Sequence, residues 1–247
     1  MSRLHIVLLL LLLTFSRVYA ASVIRIGVAD TDSPPIVVIA ENSGQLVGGL
    51  SFDLGTLLAH ELGARPQFVV LSRKRVEPWI ESGRVDIICN ANPAWFGNAE
   101  HLGWSREVYP LVERLVSLRR LPDIHQLDDI VGRRIGTIHG YNYPLFDALW
   151  EQGRATRIEE PYIDLMMKAL GKGLSDVVAI PELSYAAWLR NNAKIAQTFK
   201  VHPMIVSSLP TACAVAPHST FTLGQVNQAI DRLTRNGQLK TLLKSYQ

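Results

Sequence analysis

The sequence predicts an α/β protein built as two similar α/β lobes joined by two crossing strands, with a ligand cleft between the lobes. Three observations carry this prediction. Short β-branched runs alternate with helix-spaced apolar residues, the pattern of a mainly parallel sheet covered on both faces. The pattern occurs twice, with matching residues at matching offsets. Two further strand-like segments, residues 115–118 and 210–217, stand between and after the two copies. A chain of 247 residues has room for one or two domains.

The elements follow in order. Residues 23–28, VIRIGV, read as a strand, and turn residues break it at 30–35. Leu54, Leu57, Leu58 and Leu62 recur at helical spacing, and Gly63 supplies the stop. Residues 68–71 are a second strand, 76–82 a short helix ended by Gly83, and 85–89 a third strand, apolar apart from Asp86. The second copy begins at Arg134-Ile135-Gly136, which echoes Arg25-Ile26-Gly27. Gly83 and Asp86 precede two β-branched residues, and Gly173 and Asp176 do the same. Near the end, Leu223, Val226, Ile230 and Leu233 share one helix face, with Asn236-Gly237 as its stop.

Composition narrows the function classes. Apolar residues at 48% and charged residues at 19% fit a packed globular protein and exclude a disordered or collagen-like chain. Lys and Arg number 25 against 22 for Asp and Glu, with no run of like charge, so nucleic acid is not expected as a partner. Two cysteines without CxxC spacing give neither a disulfide scaffold nor a redox or metal motif. No HExxH or GxSxG is present, and no cofactor is called for.

Residues 1–20 read as a secretory signal peptide. Arg3 gives the positive start, residues 6–13 an unbroken apolar core too short to span a bilayer, and Val18-Tyr19-Ala20 the cleavage site. The expected mature chain is soluble and periplasmic. No Cys lies near the cut to carry a lipid anchor.

In open parallel sheets, ligands sit at the carboxyl ends of the strands. That rule marks Asp30 as a candidate acceptor for a ligand N–H or ammonium, and Asn90 and Asn92 as paired donors and acceptors. Trp95 is a candidate stacking residue. Gly140, Tyr141 and Asn142 follow a strand and precede a helix, where unbonded backbone N–H groups suit a carboxylate or other anion. Glu182 follows the last parallel strand of the second copy. Trp104 is expected to pack, Arg73 and Arg75 to be surface residues, and His139 to be structural.

These segments resemble the extracytoplasmic solute-binding proteins of family 3, which include the polar amino-acid binding proteins of ABC importers. The carriers are residues 24–30, GQLVGGLSFD at 44–53, ESGRVD at 81–86, LDDIVGRRIG at 127–136 and the tail at 226–246. The resemblance spans 22–247. It implies a type II periplasmic binding protein fold, with lobe 1 at 22–117 plus 209–247 and lobe 2 at 118–208. It implies a monomer that captures a small polar solute by hinge closure and delivers it to an ABC transporter permease. The motif CNxxPxW at 89–95 looks like a divergent branch. Amino-acid binders of the family place an Arg after the third strand, and the matching position is Asn98. The matching position for their second-lobe carboxylate is Pro181, beside Glu182. Asp30 alone matches a usual contact, so the expected ligand is amino-acid-like but not a standard α-amino acid. Two other functions fit the resemblance: a ligand sensor feeding a membrane receptor, and a cyclohexadienyl dehydratase-like enzyme with Glu182 as its acid. The resemblance also makes the strands of Cys89 and Cys213 neighbours, which permits a disulfide in an oxidising compartment. The alternative is two small buried apolar side chains.

Overall fold

A computed structural model describes residues 22–32 and 34–246; the expected signal peptide lies outside the described residues. The first copy of the pattern runs β1 (Ser22–Ala29), a small hairpin of β2 (Val38–Ile39) and β3 (Leu46–Gly48), α1 (Leu50–Glu61), β4 (Ala64–Leu71), α2 (Arg73–Glu81) and β5 (Ile87–Ala91). A short β6 (Gly103–Trp104) and the long β7 (Tyr109–Leu118) lead into the second copy. That copy is β8 (Arg134–Ile138), α3 (Pro144–Glu151), β9 (Thr156–Glu160), α4 (Ile163–Gly171), β10 (Val177–Pro181) and α5 (Glu182–Asn191). The chain returns along β11 (Phe199–Val215) and ends in α6 (Leu223–Arg235) and α7 (Gln238–Ser245).

The main sheet has the order β4-β1-β5-β11-β7-β10-β8-β9, with β6 on β11. Pairing is parallel within each copy: β1 with β4 and β5, and β8 with β9 and β10. The two crossing strands are β7 and β11. They pair antiparallel from Phe199 opposite Leu118 to Thr211 opposite Tyr109. Beyond that, β11 leaves β7 and pairs with β5 and β6. The expected lobe limits fall at the second-copy end of β7 and within β11.

Each half of the sheet has apolar packing on both faces. In the first, Ile24, Ile26, Leu54, Leu58, Val226 and Ile230 form one layer, and Leu71, Val76, Ile80 and Ile88 the other. In the second, Ile135, Phe146 and Val177 lie opposite Met166, Leu170 and Val178. Leu183, in the first turn of α5, packs with the first half's core beside Tyr109.

The internal repeat has a physical cause. Asp86 accepts from the Arg25 backbone N–H at 2.7 Å and from its guanidinium at 2.9 and 2.7 Å. Asp176 holds Arg134 in the same way, at 2.8, 3.1 and 2.7 Å. The glycine two residues after each arginine makes room for the second β-branched residue after each aspartate. A Cβ on Gly27 would stand 2.9 Å from Ile88, and one on Gly136 would stand 2.7 Å from Val178. Each brace thus fixes the start of one strand against its neighbour.

Several boundaries differ from the sequence expectation. The third strand begins at Ile87, not Val85, because Asp86 turns to its arginine. The return strand begins at Phe199, well before Pro210, and ends at Val215. The terminal segment is two helices, with Gly237 in the left-handed region between them.

Candidate functional site

The site forms where the carboxyl ends of β1, β5 and β8 meet the crossing strand β7. After β1, the Asp30 N–H donates to the Leu71 carbonyl at 2.9 Å, and the chain turns back so that Asp32 is half-buried while Asp30 stays exposed. At the end of β5, Asn90 adopts a left-handed φ of 55°, a conformation that Asn tolerates better than most residues. Its neighbour Cys89 is disulfide-bonded to Cys213 on β11. The Asn90 amide nitrogen donates to Asp32 at 3.3 Å, and the Tyr109 phenol donates to the Asn90 amide oxygen. Burial pushes the Asp32 carboxyl up to about 6, with Asp30 adding to the shift and the Asn90 bond and the Arg73 charge opposing it. Burial, then the charge of Asp32, pushes the Tyr109 phenol up.

The second copy faces this group across β7. Tyr141, after β8, has its phenol pushed up by burial and then by the charges of both Asp32 and Glu113. One phenol therefore senses a carboxylate from the first copy and one from the crossing strand. Glu113 accepts from the Ser207 hydroxyl at 2.6 Å, and burial pushes its carboxyl up. Tyr143 is buried and its hydroxyl accepts the Ile138 N–H at 3.3 Å.

The guanidinium groups around the site are engaged by the protein itself. Arg73 donates to the Trp95 carbonyl at 2.8 Å and to Glu77 at 3.4 Å. Arg114 pairs with Glu182 and donates to the Pro203 carbonyl at 2.7 Å. Arg157 bonds the Tyr141 carbonyl at 2.8 Å and Glu159 at 2.7 Å, with its guanidinium 4.9 Å from the Trp150 ring centre.

The sequence candidates divide accordingly. Asn90 and Tyr141 lie in the cluster, with Asp30 close enough for its charge to act on Asp32. Asn92 is buried and its amide serves the fold: the oxygen caps the turn at Ala94 at 2.9 Å, and the nitrogen donates to the Pro210 carbonyl at 2.8 Å. Trp95 contributes its carbonyl to Arg73, and its side chain is half-buried. Gly140 has a φ of 78°, so the turn needs a glycine there. In the anion cradle expected at Gly140, Tyr141 and Asn142, one N–H is already used. The Tyr141 N–H closes a turn on the Ile138 carbonyl at 3.2 Å, and α3 starts only at Pro144, which has no N–H. Asn142 is exposed. The Glu182 carboxylate is tied to Arg114. Asn98 donates to Glu81 at 3.1 Å, on α2. Trp104 packs edge-on against Phe96, and its indole N–H donates to the Ala99 carbonyl at 2.8 Å. His139 sits 3.5 Å from Glu159. Arg75 is exposed.

Sequence reasoning missed Asp32, Tyr109 and Glu113. Asp32 lay inside the marked turn at 30–35, and an Asp just before Ser-Pro-Pro was its available signal. Tyr109 and Glu113 lie in the half of β7 that carries no apolar alternation.

Among the described residues, no group of three His, Cys, Asp or Glu side chains could hold a metal ion, and no helix is long and apolar enough to cross a membrane. Two α/β bodies share two continuous strands, and polar side chains converge from both bodies beside those strands. This is the design of the two-lobed binding proteins of the type II periplasmic fold. The chain belongs to the bacterial extracellular solute-binding proteins, family 3, whose family model matches residues 24–247. No curated protein sequence matches it. Among solved structures it is similar to an ancestral cationic amino acid solute binding protein, with a TM-score of 0.73 and 18% identity over 91% of this chain and 95% of the other. It is also similar to the substrate binding protein of an amino acid ABC transporter (TM-score 0.62, 20% identity, 91% and 99% covered). A third likeness is a histidine kinase sensor domain related to periplasmic binding proteins (TM-score 0.65, 18% identity, 91% and 95% covered).

Proposed function

We propose that this protein captures a small polar, amino-acid-like solute in the periplasm and presents it to an ABC importer. The observation that carries this reading is the bonded group of Asp32, Asn90 and Tyr109, with Tyr141 of the other body near enough for the charges of Asp32 and Glu113 to act on its phenol. A solute that bonds groups on both bodies favours the closed arrangement by its differential affinity for it, with no covalent chemistry. Asn98, bonded to Glu81, offers no guanidinium at the position where amino-acid binders carry one, which supports a ligand other than a standard α-amino acid. The match to an extracellular family and the signal-like residues 1–20 support the periplasmic location.

A thermal-shift screen of the purified, ligand-stripped protein tests the reading. The panel holds amino acids, amines, opines, dipeptides and organic acids. A solute selective for the native state at a hundred times its Kd stabilises by roughly 2.7 kcal/mol. A clear rise in Tm with one class is expected, and the absence of any shift across the panel would count against solute capture. Import is tested separately, by the loss of labelled-solute uptake in cells that lack the protein. Unchanged uptake with intact binding would favour the sensing alternative, in which the same closed state docks on a membrane receptor.

A further inference from the structure

We infer that the ligand is a small organic cation that lacks a carboxylate, a diamine or guanidino-amine, held between Asp32 and Glu113. This rests on the solute-capture reading and specifies its ligand.

Asp32 and Glu113 accept only neutral donors among the described residues, the Asn90 amide at 3.3 Å and the Ser207 hydroxyl at 2.6 Å. A partly desolvated carboxylate without a cation is costly, and two in one cleft more so. Burial raises both carboxyls, the direction in which a positive partner would be needed to hold them ionised. A ligand with two positive ends supplies both counter-ions at once.

The opposite requirement is absent. An α-amino acid brings its own carboxylate, which needs a cation or several aimed N–H groups. Arg73 is the guanidinium whose charge reaches Asp32, and it already donates to the Trp95 carbonyl and to Glu77. Recruiting it would leave the Trp95 carbonyl without that donor. Arg114 and Arg157 are likewise committed. The backbone at Tyr141 has closed its own turn. A carboxylate entering here would meet the charges of Asp32 and Glu113, and each nearby guanidinium already faces an acceptor of the protein. The Tyr141 ring, by contrast, offers an apolar face to an alkyl chain and a π face to an ammonium.

The test is calorimetric titration of the ligand-stripped protein with two matched pairs: 1,4-diaminobutane against ornithine, and agmatine against arginine. Members of each pair differ only by the α-carboxylate. The amine of at least one pair is expected to bind about ten-fold tighter or more than its amino acid, a gap of roughly 1.4 kcal/mol. Asp32→Asn and Glu113→Gln should each weaken that binding about ten-fold while leaving Tm equal or higher, which separates lost binding from lost folding. Tighter binding of either amino acid than of its amine overturns the ligand class and leaves solute capture standing. Binding unchanged in both variants also overturns it. If none of the four compounds binds the folded protein, the ligand class falls. Solute capture then stands only if the broader panel yields a shift from a non-amine solute.

Discussion

Asp32 is held at the expense of stability. Its carboxyl keeps its proton to about pH 6 in the folded chain, against an ordinary value of 3.8. The folded state therefore binds more protons between those values, so stability falls as pH rises through that window and stays lower above it. Asp32→Asn removes the loss. The variant should be about 1–3 kcal/mol more stable than the parent at pH 7.5 and no more stable below pH 3.8, read by urea unfolding. His202 runs the other way. It is buried, its Nδ1 accepts the Ile124 N–H at 3.1 Å, and its Nε2 faces the Ser117 hydroxyl at 2.8 Å. A proton on Nδ1 would oppose the Ile124 N–H. Burial first, then Lys200, Arg133 and His125 against the opposing Asp123, hold the imidazole down to about 4. Its contribution is complete above the ordinary value of 6.5 and is lost as pH falls toward 4, a span of about 3 kcal/mol. Unfolding midpoints at pH 7 and pH 4.5 should therefore differ less in His202→Gln than in the parent. An equal difference in both proteins would remove His202 as the cause. At this scale the sequence singled out the turn and named Asp30, whereas the fold covers Asp32, because both aspartates suit a turn and only the three-dimensional path decides which one is covered.

Among the elements, the two Arg–Asp braces make a matched experiment. The Asp86 side chain is 2% exposed and also receives the Ser219 hydroxyl at 3.3 Å, whereas the Asp176 side chain is 31% exposed. Removing the buried acceptor strands more polar groups away from water. Asp86→Ala should cost about 2–4 kcal/mol and Asp176→Ala about 1–2 kcal/mol in urea unfolding, and the reverse order would refute the burial argument. The braces also explain why the repeat was readable. A glycine two residues after an arginine, and a β-branched residue two after the paired aspartate, are a local code for one strand start. The hairpin β2–β3 was unreadable, since strands of two and three residues are too short to display a period. The first half of β7 was hidden for a different reason. Pro110, Glu113 and Arg114 interrupt the apolar run where the strand passes the polar cluster, and an interrupted run shows no strand period.

For the molecule as a whole, the Cys89–Cys213 disulfide ties β5 to the far end of β11 across a separation of 124 residues, a loop that contains the entire second copy. Cross-links over loops of this size contribute roughly 3–4 kcal/mol, chiefly by restricting the unfolded chain. The Cys89→Ala, Cys213→Ala double variant should melt several degrees lower than the parent, and dithiothreitol should lower the parent's Tm while leaving the variant's unchanged. The crossing strands also set an order of assembly. The second copy is continuous in sequence, but the first is left without a sheet neighbour for β5 until the last part of β11 arrives, and without one apolar cover until α6 and α7 follow. A polypeptide delivered amino end first must therefore hold its opening segment unfinished while everything in between is made. The second copy can close on itself meanwhile, so the molecule is completed from its middle outward, and its opening segment is the last part to find all its neighbours.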